Sequence, residues 1–388
     1  MKKILLTSII MSFIAIAPTE AQYMPVIPSA TLQAAQQAVI QSTPSSEVVR
    51  VGIGTTNFGT YQYNNITIFG TGDTQIYDNK ILIGNYPANQ NIRITFKDGM
   101  FNIYTPESTQ PEKVVGPVQI TSNYGLLGVT GLKRAGKQAL YHGAFELKKC
   151  NNNTFNLVNM IEVEEYLKGV VPNEMPVSFG LEALKAQAIA AKNYVANAKI
   201  SKFYDVVDST ASQVYYGSNS YKEISNQAIV QTRGIYALYN DAPISALYYS
   251  TSAGISDNWQ DVFGSNGKGD LHPYLKTKYE TTSKPLKTES DVKDFYSNKN
   301  GFDTNSPKHR WSFEFSRSEL EQTLHTTLQQ QSKAGLVEPK YDGDIKLSGL
   351  KDIKALKRTE SGKITELLIE TDEENYKVKT QLGIRRVI

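Results

Sequence analysis

The sequence predicts an α+β protein, with a β-rich N-terminal domain followed by a mixed α/β domain built around a central alanine-rich helix. Short β-branched runs such as EVVRVGIG and NITIFG follow one another over residues 48–129, with no helical segment between them. ALYHGAFELKK and TFNLVNMIEV then predict a hairpin that leads into the mixed domain. Apolar residues recur next at spacings of three and four, which predicts an amphipathic helix. They are Leu181, Leu184, Ala188, Ala191 and Val195.

The first residues have the pattern of an export signal. Lys2 and Lys3 precede an apolar run over residues 4–17, and Thr19 and Ala21 supply the small residues that a signal peptidase reads. We expect cleavage after Ala21 and export to the periplasm, the cell wall or the medium, with a retained N-terminal anchor as the alternative. The predicted segments are a signal peptide (1–21), a linker (22–46), a β-rich domain (47–135) and a mixed domain (136–388) with polar insertions near 281–308 and 329–349.

The composition argues against several classes of function. The formal net charge is only +3 and no dense run of Lys or Arg occurs, so we expect no nucleic-acid partner. The chain has one cysteine, Cys150, which excludes an internal disulfide and a cysteine-based zinc site. Its four histidines are scattered without the spacing of paired metal ligands. We therefore expect neither a metal nor another cofactor.

Glu174 is the candidate catalytic residue. It lies between Pro172 and Pro176, which restrict the backbone around it and place it on a stiff turn. Because the alanine-rich helix begins shortly afterwards, we expect the positive end of the helix dipole to favour the ionised carboxylate. A purely structural role, as a cap or as a partner of that dipole, is the alternative from the residues alone.

The stretch EEYLKGVVPNEMPVSFGLEALKAQAIAAKNYVANAK resembles the signature of the stage II sporulation protein D family, the SpoIID/LytB or amidase-enhancer domain. DVVDSTASQVYYG, QTRGIYALYNDAPISALYYSTSAG and GDLHPYL are similar to further blocks of that family, and the resemblance extends over residues 48–388. Some positions depart from its pattern. Lys192 and Asn193 stand where the family usually has Arg-Thr, and Phe179 stands where Trp is common.

The resemblance implies a role in peptidoglycan remodelling, by lytic cleavage of glycan strands that an amidase has stripped of stem peptides. A lytic transglycosylase needs one carboxylate as acid and then base, which Glu174 would supply, whereas an ordinary glycosidase needs two. The alternative is a non-catalytic glycan-binding module that enhances an amidase. The partners implied are peptidoglycan glycan strands and an N-acetylmuramoyl-L-alanine amidase.

The resemblance and the spacing also suggest substrate-binding residues. Gln187 and Tyr194 lie seven residues apart, on one face of the predicted helix. A turn of small residues at 252–254 would let a glycan chain approach the backbone. A structural network or a solvated helix face is the alternative for each position. The full set is Gln187, Lys192, Tyr194, Asp208, Gln213, Tyr215, Ser252 and Gly254.

Overall fold

A computed structural model describes residues 6–7, 47–150, 153–263, 272–282, 284–340, 345 and 347–388. Apart from Leu6–Thr7, the predicted signal peptide and linker lie outside the described residues, so both stay predictions. None of the helices in the described ranges combines the length and the apolar character needed to cross a membrane.

The described chain contains both strands and helices, which confirms the predicted α+β class. The strands are β1 (Leu6–Thr7), β2 (Val48–Gly52), β3 (Gln62–Tyr63), β4 (Asn65–Gly70), β5 (Thr74–Asp78), β6 (Ile81–Tyr86), β7 (Ile92–Lys97), β8 (Met100–Tyr104), β9 (Glu112–Val114), β10 (Val118–Ser122), β11 (Leu127–Arg134), β12 (Lys137–Tyr141), β13 (Ala144–Lys149), β14 (Phe155–Glu162), β15 (Val206–Val207), β16 (Leu238–Tyr239), β17 (Ala242–Pro243), β18 (Ser312–Phe313), β19 (Val337–Glu338), β20 (Asp352–Arg358), β21 (Ile364–Glu370) and β22 (Asn375–Lys379). The α-helices are α1 (Val163–Lys168), α2 (Val171–Glu174), α3 (Leu181–Asn197), α4 (Glu223–Gln231), α5 (Trp259–Phe263), α6 (Glu289–Ser297), α7 (Arg317–Lys333) and α8 (Gln381–Val387).

The chain forms two compact units, one of residues 22–247 and one of residues 1–21 and 248–388. The β-rich segment and the alanine-rich helix both belong to the first unit. The predicted boundary at residue 135 stays a prediction.

Two sheets pack face to face in the first unit. One runs in the order β15-β2-β14-β13-β10-β5-β6, with β3 also paired to β14, and the other runs β12-β11-β4-β7-β8-β9. The predicted hairpin is confirmed, because β13 and β14 pair from Ala144 opposite Met160 to Lys149 opposite Phe155. Between the sheets, the Phe155 ring lies 5.5 Å from the ring of Phe101, centroid to centroid.

The alanine-rich segment forms the helix α3, as predicted. Leu184, Ala188, Ala191 and Val195 are buried along one face, while Leu181 is half-buried at the first turn. Gly180 precedes the helix with a φ of 88°, a backbone conformation that residues other than glycine rarely adopt. Small alanine side chains let neighbouring elements approach this helix closely.

The second unit has its own core. The sheet β19-β22-β21-β20 packs against α7 and α8, with leucines of α7 among the buried residues. Both α6 and α7 begin with a capping box, at Thr288 with Asp291 and at Ser316 with Glu319. Each capping box satisfies backbone donors that would otherwise lack partners at the start of a helix.

Candidate functional site

Glu174 is the last residue of the short helix α2. Pro172 lies in the first turn of this helix, where the missing N–H costs no hydrogen bond. The chain leaves the helix at Met175, which is extended with φ −136° and ψ 128° because Pro176 disfavours helical geometry in the residue before it. The two prolines therefore fix both the start of the turn and its exit, as the sequence predicted.

The carboxylate of Glu174 lies in a half-buried position with one strong donor. Its Oε1 accepts the backbone N–H of Val214 at 2.7 Å. Burial raises the pKa of Glu174 above its ordinary value, and the Val214 hydrogen bond only partly opposes this rise. The pKa of Glu174 is therefore shifted in the direction opposite to the one that a helix dipole would give. In the described ranges, no nitrogen of Lys, Arg or His lies within ion-pair distance of this carboxylate, so no such ion pair opposes the rise in its pKa.

Residues 208–215 form the loop that presents Val214 to Glu174. The N–H of Tyr215 donates to the carbonyl of Asp208 at 3.2 Å, which closes the loop on itself. Gln213 is fully buried, and it accepts from the Tyr166 hydroxyl at 3.1 Å and donates to the Ala191 carbonyl of α3 at 3.2 Å. These bonds hold the loop against α1 and α3, on either side of Glu174 in sequence.

Tyr215 and Asp208 fasten the same loop to the β-sheet layer. The Tyr215 hydroxyl donates to Asn159 Oδ1 in β14 at 2.8 Å. Asp208 is fully buried and forms an ion pair with Arg134, whose Nη2 lies 2.5 Å from Oδ2. Its other oxygen accepts the N–H of Gly54 at 3.1 Å. The described contacts therefore position the loop, although the sequence predicts substrate binding for the three residues that make them, Asp208, Gln213 and Tyr215.

Arg134 is the residue of this cluster that sequence reasoning missed. Its guanidinium also donates to the carbonyls of Gly54 at 2.6 Å and Lys133 at 2.9 Å, and it lies 4.4 Å from the centre of the Phe58 ring. Burial raises the pKa of Asp208 to about 6, while the charge of Arg134 opposes the rise. Arg134 ends a strand far from Asp208 in sequence, and no local motif marks it.

Two of the predicted binding residues, Gln187 and Tyr194, lie on α3, and Tyr194 interacts with the charge of Glu174. Burial raises the pKa of the Tyr194 hydroxyl, a hydrogen bond with Ser212 opposes the rise, and the negative charge of Glu174 adds to it. Gln187 is buried, and its Nε2 contacts no hydrogen-bond acceptor among the described residues. A buried amide nitrogen without a partner is costly, so a ligand acceptor at this point would relieve that cost.

Comparison with known proteins identifies the domain that holds this site. A family model described as Stage II sporulation protein (SpoIID) matches residues 151–239, which include Glu174, α3 and the loop 208–215. The chain carries a SpoIID domain. This match is shorter than the resemblance expected over residues 48–388. Residues 258–388 match a different model, described as a domain of unknown function (DUF8618).

Curated relatives agree with the SpoIID assignment. The chain is 43% identical over 116 residues to an amidase enhancer of Bacillus subtilis, a match that covers 30% of this chain and 15% of the relative. It is 29% identical over 219 residues to Stage II sporulation protein D of Bacillus subtilis, covering 52% of the chain and 56% of the relative. A stage II sporulation protein D of Bacillus amyloliquefaciens is 31% identical over 205 residues, covering 48% and 52%. The chain thus spans at most about half the length of these relatives.

Lys192 and Asn193, which depart from the family pattern, make internal contacts in this SpoIID domain. Lys192 is fully buried, and its Nζ donates to the Thr232 carbonyl at 2.7 Å beside the Tyr236 ring. Burial lowers its pKa, and the charge of Glu164 opposes this effect. The Asn193 amide exchanges two hydrogen bonds with the backbone of Ala237, at 2.7 and 2.9 Å. Both side chains fasten the segment after α4 to α3.

Ser252 and Gly254 lie in the other compact unit. Ser252 Oγ donates to Glu280 at 2.9 Å and accepts the N–H of Gly254 at 2.9 Å. Gly254 has a φ of 92°, and a Cβ there would lie 2.3 Å from Thr281 Oγ1, so only glycine fits. Their predicted role in substrate binding stays a prediction.

Proposed function

We propose that the SpoIID domain of this protein cleaves peptidoglycan glycan strands as a lytic transglycosylase, with Glu174 as its acid and base. The observation that carries the proposal is the environment of Glu174. A half-buried carboxylate that receives one N–H and no cation in the described ranges holds its proton at a higher pH than an ordinary glutamate. Such a group suits a general acid that works near neutral pH.

In the proposed reaction, protonated Glu174 donates its proton to the glycosidic oxygen between two sugars. The bond from C1 to that oxygen breaks, and positive charge develops on the sugar ring. The Glu174 carboxylate then takes the proton from the C6 hydroxyl of the same sugar, whose oxygen bonds to C1 and closes a 1,6-anhydro ring. No water is added, and the carboxyl group ends the cycle protonated again.

The contacts of Asp208 support a mechanism with a single carboxylate. A glycosidase that retains or inverts the configuration at C1 needs a second carboxylate, as the nucleophile or as the base that activates water. Asp208 lies on the loop that contacts Glu174, but both of its oxygens are engaged, by Arg134 and by the Gly54 N–H. We propose that Gln187 and Tyr194 contact the substrate, and that Asp208, Gln213, Tyr215 and Lys192 act as positioning residues.

The similarity to an amidase enhancer supports a second candidate, a glycan-binding module that stimulates an amidase. Both candidates place the protein at the cell wall after export. They differ in whether a glycosidic bond is broken.

The deciding experiment is digestion of amidase-treated sacculi by the wild-type protein and by Glu174→Gln, with mass spectrometry of the released products. Lytic cleavage predicts 1,6-anhydro-muramyl ends with the wild type and a rate about 10² to 10⁴ lower with the variant. Glycan binding that persists in both proteins, with no anhydro product from either, favours the enhancer. Equal turnover by the two proteins would eliminate Glu174 as the acid.

A further inference from the structure

A cavity lies in the first unit, outside the residues already proposed to take part in catalysis. Its volume is about 640 Å³, and its lining includes Tyr61, Phe203 and Tyr204. Small-molecule sites span roughly 300–1,000 Å³. We name this cavity the tyrosine groove, after Tyr61 and Tyr204.

Two glycines determine how these rings lie. A Cβ on Gly52 would meet the Tyr204 ring at 2.9 to 3.1 Å over three of its carbons, and a Cβ on Gly54 would meet the Tyr61 ring at 3.0 Å. Each tyrosine therefore rests on bare backbone at the end of β2 or just after it. A ring supported in this way presents its remaining surface to the cavity, as a sugar-stacking platform requires.

The loop that carries Phe203 and Tyr204 is fixed before any ligand binds. Ser201 Oγ accepts the N–H groups of Phe203 and Tyr204, each at 3.0 Å. Asp205 then pairs with Arg50 of β2 at 2.8 Å, and its N–H donates to the Arg50 carbonyl at 2.9 Å. A preorganised site loses less conformational entropy on binding.

One cation in this groove has no carboxylate partner among the described residues. The exposed Lys202 lines the cavity, and its Nζ lies 4.9 Å from the centre of the Phe203 ring but within ion-pair distance of no described carboxylate. The nearest acidic neighbour in sequence, Asp205, is already paired with Arg50. The groove thus combines aromatic rings with a single positive charge, which suits a sugar that carries a carboxylate.

We propose that the tyrosine groove binds a muramyl residue of the glycan strand and that Lys202 pairs with its lactyl carboxylate. In intact peptidoglycan this carboxyl group forms the amide bond to the stem peptide, and it becomes an anion only when an amidase hydrolyses that bond. Lys202 would therefore distinguish stripped strands from intact ones. The proposal rests on the proposed glycan substrate, and it adds the chemical group that is recognised.

The groove and the Glu174 site share one loop. The Tyr61 hydroxyl donates to Ser209 Oγ at 2.8 Å, and Ser209 follows the anchor Asp208 in the loop that presents Val214 to Glu174. A strand held in the groove would therefore contact Tyr61, whose hydroxyl bonds to one end of the loop that contacts Glu174.

Binding is tested in the Glu174→Gln background, so that no strand is cut. Amidase-stripped strands are compared with the same strands after methyl esterification of the lactyl carboxylates, by co-sedimentation or calorimetry. We expect the Glu174→Gln protein to bind the carboxylate form about threefold to tenfold more tightly. Adding Lys202→Met abolishes the difference, whereas adding Lys199→Met, which removes an exposed lysine that does not line the groove, leaves it intact.

The single cysteine reports where the strand binds. Cys150 lines the groove and donates to Asn156 Oδ1 at 2.9 Å. Stripped strands are expected to slow its alkylation by a small thiol reagent at least threefold. Equal affinity for the esterified and free strands, a difference that survives Lys202→Met, or an unprotected Cys150 would each overturn the proposal. Carboxylate-dependent binding without anhydro products from the wild type would instead leave the groove standing and remove the catalytic function.

Discussion

Replacing Arg134 by Met tests the idea that a buried ion pair positions the loop of residues 208–215, which presents Val214 to Glu174. The substitution keeps most of the side-chain volume but leaves the fully buried Asp208 carboxylate with backbone N–H donors such as that of Gly54 and without its described cation. Removing one partner of a buried pair costs about 3–5 kcal/mol, because the remaining charge is uncompensated. For a unit of this size, about 2–4 °C of melting temperature is lost per kcal/mol, so we expect a fall of roughly 6–20 °C.

The assay is thermal unfolding of the full chain, followed by near-ultraviolet circular dichroism, for Arg134→Met, Asp208→Asn and the double variant. Since the double variant removes both charges, its loss should be smaller than the sum of the two single losses by about 1–3 kcal/mol. Arg50→Met is the matched control. Its pair with Asp205 is partly exposed, with 31% of the Arg50 side chain accessible, and such pairs contribute about 1 kcal/mol or less.

Two outcomes would refute this reasoning. Arg134→Met could lower the melting temperature no more than Arg50→Met does, which would mean that the buried charge finds another partner. Alternatively, the losses of the two single variants could add fully in the double variant, which would mean that Arg134 and Asp208 act independently.

Three further predictions concern pH and metal ions. Because burial raises the folded-state pKa of Glu174, the wild type gains stability below the unfolded pKa and loses it as the pH rises through the folded pKa. At pH 8, Glu174→Gln should therefore be more stable than the wild type, by about 1.4 kcal/mol per unit of pKa shift, and melt at a higher temperature. This difference in melting temperature should disappear toward pH 4. A difference that does not change with pH would contradict the prediction. The rate of glycan cleavage, kcat/KM, should fall as the pH rises above the raised pKa of Glu174, and a rate that increases on that side would count against a protonated acid. Chelation with EDTA should leave cleavage and melting temperature unchanged, and stoichiometric zinc in the purified protein would oppose this expectation.

The features that the sequence predicted well depend on short-range signals. The α3 stripe repeats every three or four residues, and the β13–β14 hairpin needs only two neighbouring β-branched runs. The turn at Glu174 follows from two prolines that act on adjacent residues. Each of these signals lies within a short stretch of the chain, about the length of one helix or hairpin, so a single sequence is enough to reveal it.

The features that the sequence did not predict depend on partners far along the chain. Arg134 and Asp208 are separated by 74 residues, and nothing near either one indicates the other. The family resemblance suggests that Lys192 binds substrate, but its Nζ donates to the Thr232 carbonyl inside the fold. A helical pattern shows which residues share a face of α3, but not whether a polar side chain on it meets solvent, a ligand or a buried carbonyl.

The hydrogen bonds that hold the loop 208–215 explain why polar residues occupy its buried positions. An apolar side chain at position 208 could fill the same space, but it would leave the buried Gly54 N–H without the acceptor that Asp208 now gives it. Hydrogen bonds are directional, so these contacts also fix the register of the loop, whereas apolar packing tolerates sliding. A shift of one residue would move the Val214 N–H away from Glu174. We therefore also expect Arg134→Met to cleave glycan strands more slowly, and by more than the unfolded fraction at the assay temperature, measured by circular dichroism, accounts for; a loss equal to that fraction would contradict a positioning role.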